Sequence, residues 1–421
     1  MTAQPLAPDV GVIALVPDRW GNRWQPRHHV LTRLARYFRI VWVNPAPEWR
    51  TVARHPRAFH QAEREPLPGF TVYSPDLRFP GVHRPARLAA QSFRARVRGA
   101  RHTLERAGCT RVVLYVWQPQ FVNALSAVSY DASCYHIDDE YTFSEVDRPI
   151  SPAELRLLSE CDQVFIHSPG LLAKKGGINP NTAFVPNGVD YEAFAHPSPA
   201  PPELAAIPRP RIGYSGWLKR QLDWPLLRTL ADRHRDWSFV LVGGQKDADV
   251  TTEPIAELGK LANVHLLGSR PTSALAAYPH HFDVCIMPYR LDDYTKYIYP
   301  LKLHEYLATG RPTVGAPIRS LREFAHVVAL PETPDEWSAA LRDALSASEN
   351  TPERAAMRQQ VAREFDWAIL VRRIAMTMAG LLGDDVVRRL QHVDTAAGIT
   401  HVSEHVETAR PAGERQMTAL P

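Results

Sequence analysis

Residues 211–244 have the sequence RIGYSGWLKRQLDWPLLRTLADRHRDWSFVLVGG, which predicts a strand, a helix and a second strand in succession. Arg211–Tyr214 and Ser238–Val242 are short apolar runs of the kind that form buried strands, and Pro225–His234 has the apolar spacing of a helix. Buried strands separated by a helix are typical of a parallel sheet with both faces covered. This stretch therefore predicts an α/β fold with a Rossmann-like architecture.

The same alternation continues on both sides of this stretch. Further strands are predicted at Val10–Val16, Ile40–Val43, Val112–Val116, Ala132–Ile137, Gln163–Ile166, Val264–Leu267, Val284–Met287 and Thr313–Val314. Further helices are predicted at Arg27–Tyr37, Pro152–Glu160, Thr272–Tyr278, Leu301–Ala308, Thr333–Ala347 and Thr351–Leu382. Between the two halves, HPSPAPPELAAIPRPR (196–211) contains six prolines, which neither a helix nor a central strand tolerates. We therefore expect two Rossmann-like domains with a cleft between them.

Composition excludes several classes of protein. The chain has 421 residues, of which 45% are hydrophobic and 22% charged, and its net charge of +4 is too small for a dedicated nucleic-acid binder. No run approaches the ~18 apolar residues of a membrane span, and the N-terminus lacks the basic and apolar regions of a secretory signal. The 4 cysteines are scattered, which argues against a cysteine zinc site or a disulfide framework. A cytoplasmic protein fits these features best.

The strongest local motif is YPLKLHEYLATGRP at residues 299–312. Pro300 begins a helix at little cost, and the glycine near the end of the motif terminates it. The unpaired N–H groups from Leu301 onward suit a phosphate, with Lys302 beside it, because they lie at the positive end of the helix dipole. One turn further in, the Glu305 carboxylate can accept both hydroxyls of a ribose. An ordinary amphipathic helix with a solvated lysine and a surface glutamate is the alternative interpretation.

A second motif follows the strand that begins at Arg211. Gly216 allows the backbone to approach a ligand closely, and Lys219 or Arg220 can neutralise phosphate oxygens. By itself this pattern is weak, and a solvated turn is the alternative. The strand in DVCIMPYR (283–290) ends at the same predicted sheet edge, where open α/β sheets bind ligands.

The first half offers two further candidate segments. In YHIDDE (135–140), His136 and Asp138 lie at the end of a buried strand, where the acids can supply a base, a metal ligand or a solvated, capping turn. In WGNRWQPRHH (20–29), Arg23 or Arg27 can reach phosphates or an anionic acceptor across the cleft. A surface loop before a helix is the alternative for this second segment.

Pro85–Arg106 is predicted to be a basic amphipathic helix. Its arginines at 87, 94, 98 and 101 fall on one stripe, and its apolar residues form a separate stripe. One interpretation is contact with an anionic membrane surface, where a lipid-linked acceptor would reside. The favoured one is a helix that packs its apolar stripe on the sheet and exposes its arginines to solvent.

Taken in order, RIGYSGWLKR, SFVLVGG, NVHLLGSRP, DVCIMPYR and PLKLHEYLATGRPTV resemble the C-terminal nucleotide-sugar domain of GT-B glycosyltransferases, particularly the family 4-like (group 1) branch. VPNGVDYEAF (185–194) is similar to that family's approach to the interdomain linker, and Asp366-Trp367 to the start of its final helix. The resemblance implies the GT-B fold, in which two Rossmann-like domains face a cleft and a C-terminal helix crosses back to the first domain. The implied divisions are an acceptor-binding domain (1–195), a Pro-rich linker (196–210), a nucleotide-sugar-binding domain (211–360), a cross-over helix (361–382) and a mostly disordered tail (383–421).

The resemblance also implies roles for particular residues. Glu305 matches the second glutamate of the family's paired-glutamate motif, which holds the ribose hydroxyls. Tyr297 stands where the first glutamate of that motif is expected, so we expect it to shape the sugar pocket in a divergent way. Lys219 and Arg220 fall near the family's phosphate-binding cations. Asp138 aligns with the family's histidine beside the reacting sugar, and His136 lies two residues earlier, so either is a candidate catalytic group.

The resemblance thus implies a retaining glycosyltransferase that moves a sugar from a nucleotide-diphosphate sugar to a hydroxyl acceptor in cell-surface polysaccharide or glycolipid biosynthesis. Relatives with this fold generally need no metal, so neither a metal nor a cofactor is expected. The expected partners are the donor, a glycan or lipid-linked acceptor, and no nucleic acid, with peripheral contact at the inner face of the membrane as a further possibility. A sugar-nucleotide epimerase and a catalytically silent nucleotide-sugar-binding module are the alternatives, the second because of Tyr297.

Overall fold

The computed structural model describes residues 4–21, 24–46, 64–74, 86–143, 146–246 and 248–396. Its strands are β1 (Ala7–Leu15), β2 (Phe38–Val43), β3 (Arg64–Leu67), β4 (Phe70–Tyr73), β5 (Arg111–Val116), β6 (Ala132–Ile137), β7 (Gln163–Ile166), β8 (Thr182–Phe184), β9 (Arg211–Ser215), β10 (Ser238–Val242), β11 (Val264–Gly268), β12 (Val284–Met287) and β13 (Thr313–Gly315). Its α-helices are α1 (Pro26–Leu34), α2 (Ala86–Arg106), α3 (Pro152–Glu160), α4 (Pro169–Lys175), α5 (Tyr191–Ala195), α6 (Trp224–Arg233), α7 (Ala248–Leu258), α8 (Thr272–Leu275), α9 (Leu301–Ala308), α10 (Pro334–Leu345), α11 (Pro352–Glu364), α12 (Trp367–Leu382) and α13 (Asp384–Ala396).

Two separate sheets organise the chain. In the first, the strand order is β3-β4-β2-β1-β5-β6-β7-β8, and every pair is parallel except β3 with β4. In the second, the order is β11-β10-β9-β12-β13, and every pair is parallel. The strand order reverses beside β1 and beside β9, and ligands of open α/β sheets bind outside the carboxyl ends of the strands at such points. The predicted α/β class with two Rossmann-like domains is confirmed.

Helix α12, which follows the second domain, packs on the first domain. Trp367, Leu370, Ile374 and Met378 of α12 are buried in the apolar cluster on one face of the first sheet. These positions recur at the spacing of one helix face, so the sequence periodicity and the packing agree. A helix that follows the second domain thus covers the sheet of the first.

A single helix was expected over Thr351–Leu382, but the structure divides it at Phe365 and Asp366. The backbone N–H of Val189 donates to the Phe365 carbonyl over 3.0 Å, and the Trp367 N–H donates to the Val189 carbonyl over 2.9 Å. Asp366 then caps α12, because its carboxylate accepts from the backbone of the new helix. The break is therefore set by a segment far away in the sequence, at the junction of the domains.

The segment predicted as a Pro-rich linker is packed against the second domain. Leu204 and Ile207 are buried in that domain's core, and their backbone carbonyls accept hydrogen bonds of 2.6 and 2.7 Å from the Arg211 guanidinium. The linker therefore behaves as part of the second domain rather than as a free tether. The boundaries of the predicted divisions themselves stay predictions.

The prediction of a mostly disordered tail from residue 383 needs correction over its first part, and 397–421 lie outside the described residues. Asp384–Ala396 forms α13, whose Val386 and Leu390 are buried against the first domain. The Arg111 guanidinium donates to both oxygens of Asp385 over 2.9 and 2.8 Å. These contacts hold the helix on the sheet although its mean hydropathy is low.

We expect the substitution Leu390→Ala to lower the free energy of unfolding by about 2–5 kcal/mol, because it leaves a cavity under α13. Chemical denaturation of the full chain measures this change. Arg388→Ala, on the exposed side of the same helix, is the control and should change stability by less than about 0.5 kcal/mol. Equal effects of the two substitutions would show that α13 is not docked in solution.

Within the described ranges, no helix is both long and apolar enough to cross a lipid bilayer. The cysteines at 109, 134, 161 and 285 are all buried and unpaired with one another. The apolar stripe of α2 is packed on the first sheet through Val97, Ala100 and Leu104, as expected for that stripe, whereas membrane contact by the arginines stays a prediction.

Candidate active site

The carboxyl ends of the two sheets face each other across the domain junction. The Tyr294 hydroxyl of the second domain donates to the Asp139 carboxylate of the first over 2.8 Å. Nearby, the Asn187 side chain donates to the Tyr299 carbonyl over 2.7 Å. The loops that carry the predicted donor and catalytic residues therefore meet at one domain junction.

Gly216 and Lys302 are brought into direct contact. Gly216 follows β9 with φ +143°, and a side chain there would place a Cβ atom 2.2 Å from Cε of Lys302. The Lys302 ammonium lies 5.1 Å from the centre of the Tyr214 ring, at a distance typical of a cation–π contact. Any other residue would be strained at this φ, and its Cβ would displace the end of the Lys302 side chain. The structure thus joins the two sequence motifs of the second domain.

Glu305 lies one turn further along α9 and is half-buried. Among the residues that the structure describes, none is seen donating a hydrogen bond to its carboxylate. Burial raises the pKa of the Glu305 carboxyl above its ordinary value, against the opposing effect of the Lys302 charge. Burial likewise lowers the pKa of Lys302, against the opposing effect of Glu305. A carboxylate with acceptor capacity to spare beside a cation is suited to a ligand with hydroxyl and phosphate groups.

The start of α9 is fixed by the end of β9. The backbone N–H of Ser215 donates to the Tyr306 hydroxyl over 2.8 Å, which ties the helix to the loop containing Gly216. Leu301, the first residue of α9, turns its side chain to the apolar cluster of the first domain. Its backbone N–H therefore starts the helix at the domain junction, where the predicted phosphate site lies.

Lys219 and Arg220 lie in the turn after Gly216, the first half-buried and the second exposed. The Lys219 carbonyl accepts from the Leu222 N–H over 3.1 Å, which closes the turn. Both residues have interactions within the protein. Their role as phosphate ligands stays a prediction.

Asp138 is held by two donors of the first domain. The Arg27 guanidinium donates to one carboxylate oxygen, and the Tyr141 hydroxyl donates to the other over 2.6 Å. Arg27 also donates to Asp18, so this arginine is shared between two carboxylates. Burial raises the pKa of Asp138, while Arg27 and Tyr141 oppose the rise. Asp138 is thus fixed in orientation at the strand end, with only 6% of its side chain exposed.

Arg27 was expected to reach phosphates or an anionic acceptor, and the structure corrects this expectation. Its charge is already matched by the carboxylates of Asp18 and Asp138. Arg23, the other candidate in this segment, lies outside the described residues. Arg27 acts as a support for Asp138.

The placement of His136 argues against a catalytic role. It is a strand residue with 4% exposure, and its Nδ1 atom lies 2.7 Å from the Tyr115 hydroxyl. Its ring stacks on Trp117 with 4.1 Å between centroids, and burial lowers the pKa of His136 well below its ordinary value. His136 shares its strand face with Asp138, two residues further on, but its ring is packed beneath the strand end among Tyr115, Trp117 and Phe165. We correct its assignment accordingly.

Among the described residues, no group of three His, Cys, Asp or Glu side chains is arranged to hold a metal ion. Asp138 and Asp139, the acids for which a metal site was one alternative, instead bind Arg27 and Tyr294.

Comparison with known proteins agrees with this geometry. Residues 209–347 match the family described as Glycosyl transferases group 1. The second domain is a group 1 glycosyltransferase domain. The chain is also 29% identical over 359 residues to TuaH of Bacillus subtilis (strain 168), whose name describes a teichuronic acid biosynthesis glycosyltransferase; the match covers 80% of this chain and 87% of TuaH. The predicted enzyme class is confirmed.

The fold of this glycosyltransferase recurs in solved structures of low sequence identity. Sucrose-phosphate synthase from Thermosynechococcus elongatus superposes with a TM-score of 0.67 at 14% identity, covering 90% of this chain and 99% of the other. A trehalose-6-phosphate structure from E. coli bound with UDP-2-fluoro glucose gives 0.63 at 13%, covering 88% and 98%. The catalytic domain of starch synthase IV from Arabidopsis thaliana, bound to ADP and acarbose, gives 0.60 at 13%, covering 91% and 99%. The predicted GT-B fold is confirmed.

Tyr297 of the glycosyltransferase was expected to shape the sugar pocket, and the structure places it against the first domain. Its ring is buried in an apolar cluster of the first domain, and its hydroxyl donates to the Asp147 carboxylate there. The segment that contains it crosses the junction before α9 begins. Tyr297 is therefore a contact between domains, and its part in the sugar pocket stays a prediction.

His167 is a residue of the glycosyltransferase that the sequence analysis missed. It follows β7 directly, and its Nδ1 atom lies 3.0 Å from the Ile137 carbonyl, at the end of β6. Burial lowers the pKa of His167, and the nearby charge of Asp138 opposes this change. The signal was available, since His167 comes directly after the predicted strand Gln163–Ile166 and so lies at the edge that also carries Asp138.

Proposed function

We propose that this glycosyltransferase moves a sugar from a nucleoside-diphosphate sugar to a hydroxyl acceptor, with retention of configuration. The observation that carries the donor site is the half-buried pair of Glu305 and Lys302 beside the Gly216 loop. Two solved structures with this fold have UDP-2-fluoro glucose and ADP bound, which supports a nucleotide as the ligand of this chain as well. Retention rests on the likeness to group 1 enzymes.

In the proposed reaction, the bond between the anomeric carbon and the diphosphate oxygen breaks, and a bond to the acceptor oxygen forms. Negative charge grows on the departing diphosphate, where Lys302 and the first N–H groups of α9 stabilise it. Glu305 holds the ribose hydroxyls and thereby orients the donor. Asp138, fixed by Arg27 and Tyr141, supplies the negative charge of the first domain that faces the positively charged sugar of the transition state. The proton of the acceptor hydroxyl leaves with the diphosphate product.

The proposed acceptor is a growing cell-surface polysaccharide or a lipid-linked glycan, since the relative TuaH is named for teichuronic acid biosynthesis. The proposed location is the cytoplasm, with peripheral contact at the inner face of the membrane. Helix α2 supports this contact, because Arg87, Arg94 and Arg98 are exposed on it together with Leu88, which is 49% exposed. Arg98 and Arg101 also donate hydrogen bonds within the domain, to the carbonyls of Ala127 and Ser129.

The experiment that tests the donor site is a thermal-shift screen of the full chain against UDP, GDP, ADP, TDP and CMP. A nucleotide at ~100 Kd should stabilise the protein by ~2.7 kcal/mol, and the effective base then selects the sugar nucleotides for a transfer assay. No shift with any nucleotide, in a folded protein, would overturn the proposal. Donor turnover without an acceptor would indicate the epimerase, and binding without any turnover the silent module.

We expect nucleotide affinity to pass through a maximum with pH. Glu305 accepts hydroxyls fully only when ionised, and because its pKa is raised, affinity falls as the pH decreases toward that raised value. Lys302 pairs with the diphosphate only when protonated, and because its pKa is lowered, affinity also falls as the pH increases toward alkaline values. Calorimetric titrations from about pH 5 to about pH 10 measure the fall in affinity on both sides of the maximum. This range lies between the ordinary pKa values of a glutamate and a lysine.

The variants Glu305→Gln and Lys302→Met are the controls for this pH profile. Each should flatten one limb, acid or alkaline, relative to the unchanged protein. The nucleotide's own titration is common to all three proteins, so only the difference between profiles is interpreted. Identical profiles in the three proteins would contradict the assignment of either residue to the donor site.

A further inference from the structure

We propose that Tyr294, Lys296 and Tyr297, here called the clamp, are positioning residues that hold the catalytic loop of the first domain against the donor domain. This inference rests on the proposed transfer reaction. The clamp lies in the second domain just before α9, and its partners lie in the first domain after β6 and in α4. Tyr297, which stands where the first glutamate of the family's motif is expected, makes a contact between the domains in this chain.

Tyr294 binds the residue next to the proposed catalytic carboxylate. Its hydroxyl donates to Asp139 over 2.8 Å, and its ring lies 5.2 Å from the ring of Phe143. Asp139 follows Asp138 directly in the chain. A shift of Tyr294 therefore moves the peptide that carries Asp138.

Tyr297 makes a second, independent contact. Its hydroxyl donates to Asp147, whose other oxygen accepts from the Lys174 ammonium over 2.5 Å. The same ammonium lies 5.2 Å from the centre of the Tyr297 ring. Lys296 adds an ion pair of 3.5 Å to Asp147. The carboxylate of Asp147 thus joins groups from both domains, and Tyr297 is only 5% exposed.

The two backbones touch where the clamp meets α4. A side chain at Gly170 would place a Cβ atom 2.1 Å from the Lys296 carbonyl oxygen and 3.1 Å from the Tyr297 ring. No other residue at position 170 permits this approach without moving the backbone. Gly170 therefore lets the clamp pack closely against α4, in addition to the hydrogen bonds that the clamp makes.

The clamp is connected both to the proposed donor site and to the loop that carries Asp138. Tyr297 lies four residues before Leu301, where the helix that carries Lys302 and Glu305 begins. Within the second domain, the Thr295 hydroxyl donates to the Arg290 carbonyl over 2.7 Å and so fixes the clamp to the end of its own sheet. Because reacting groups must be aligned to within about 1 Å, a connection this short can set the distance between donor and Asp138. The clamp should affect the rate of transfer and leave nucleotide affinity unchanged.

The test uses Tyr297→Phe, Asp147→Asn and the double variant of the full chain. We expect each single substitution to lower kcat about 10-fold to 100-fold, while the nucleotide Kd changes less than about twofold. The kcat of the double variant should be no lower than that of the slower single variant, because the two side chains act through one contact. Small-angle scattering should show a larger radius of gyration in all three. Tyr278→Phe is the matched control, because that buried hydroxyl donates to a carboxylate, Glu203, within its own domain; its kcat should not change.

Three results would overturn the clamp. They are an unchanged kcat in both single variants, losses that multiply in the double variant, or a rise in nucleotide Kd that matches the fall in kcat. If the unaltered protein neither binds nucleotides nor transfers sugar, the proposed function has failed, and the scattering comparison still decides the clamp. Identical scattering curves for all variants would then reject it.

Discussion

Substituting Glu305 by alanine is expected to raise the Kd of the preferred nucleoside diphosphate about 100-fold. The carboxylate is half-buried beside Lys302, and it would accept hydrogen bonds from two ribose hydroxyls. Hydrogen bonds to a charged group contribute about 1.5–3 kcal/mol each, so the loss of two, partly replaced by water, amounts to about 3 kcal/mol. Isothermal titration calorimetry with the nucleotide selected by the thermal-shift screen measures this loss.

Two further variants sharpen the measurement. Glu305→Gln keeps one acceptor oxygen without the charge and should fall between the unchanged protein and the alanine variant. Glu332→Gln, an exposed carboxylate of the same domain, should leave Kd unchanged. An alanine variant that binds nucleotides as tightly as the unchanged protein would remove Glu305 from the donor site, and with it the observation that carries the proposed function.

The second large effect concerns a cluster of charges buried beneath the catalytic loop. The Lys175 ammonium lies 2.7 Å from an oxygen of Glu154 and 3.1 Å from an oxygen of Glu140, and all three side chains are fully buried. We expect Lys175→Met to lower the free energy of unfolding by about 3–5 kcal/mol, because it leaves the buried Glu154 without its cation and Glu140 with Lys174 alone. Denaturant unfolding followed by fluorescence measures this change.

The control for Lys175 is a surface ion pair of similar geometry. Arg156 and Glu160 lie 2.8 Å apart on α3 with both side chains more than a third exposed, and Arg156→Ala should cost less than about 0.5 kcal/mol. Adding Glu140→Gln and Glu154→Gln to Lys175→Met should recover part of the stability, since the buried charges are then removed together. If Lys175→Met is no more destabilising than Arg156→Ala, the cluster contributes nothing to folding.

The sequence by itself determined the architecture, because the signals for strands and helices are local. Strands that are buried on both faces consist of apolar residues whatever their neighbours are, so β1, β9 and β10 were predicted within a few residues of their observed ends. The helix with Glu305 was predicted because Pro300 marks its start. Helix α7 was missed, since a proline inside it and its threonines are typical of loops.

The tertiary structure alone decided which side chains meet in the site. The partner of Asp138 is Arg27, which is 111 residues away, and the partner of Tyr297 is Asp147, which is 150 residues away in the other domain. No periodicity in the sequence encodes such pairs, because they depend on how two domains pack. The same holds for the break before α12, which Val189 imposes. Local patterns therefore predicted the elements and the edge of each sheet, whereas long-range packing placed Arg27 beside Asp138 and brought Tyr297 to Asp147 at the domain junction.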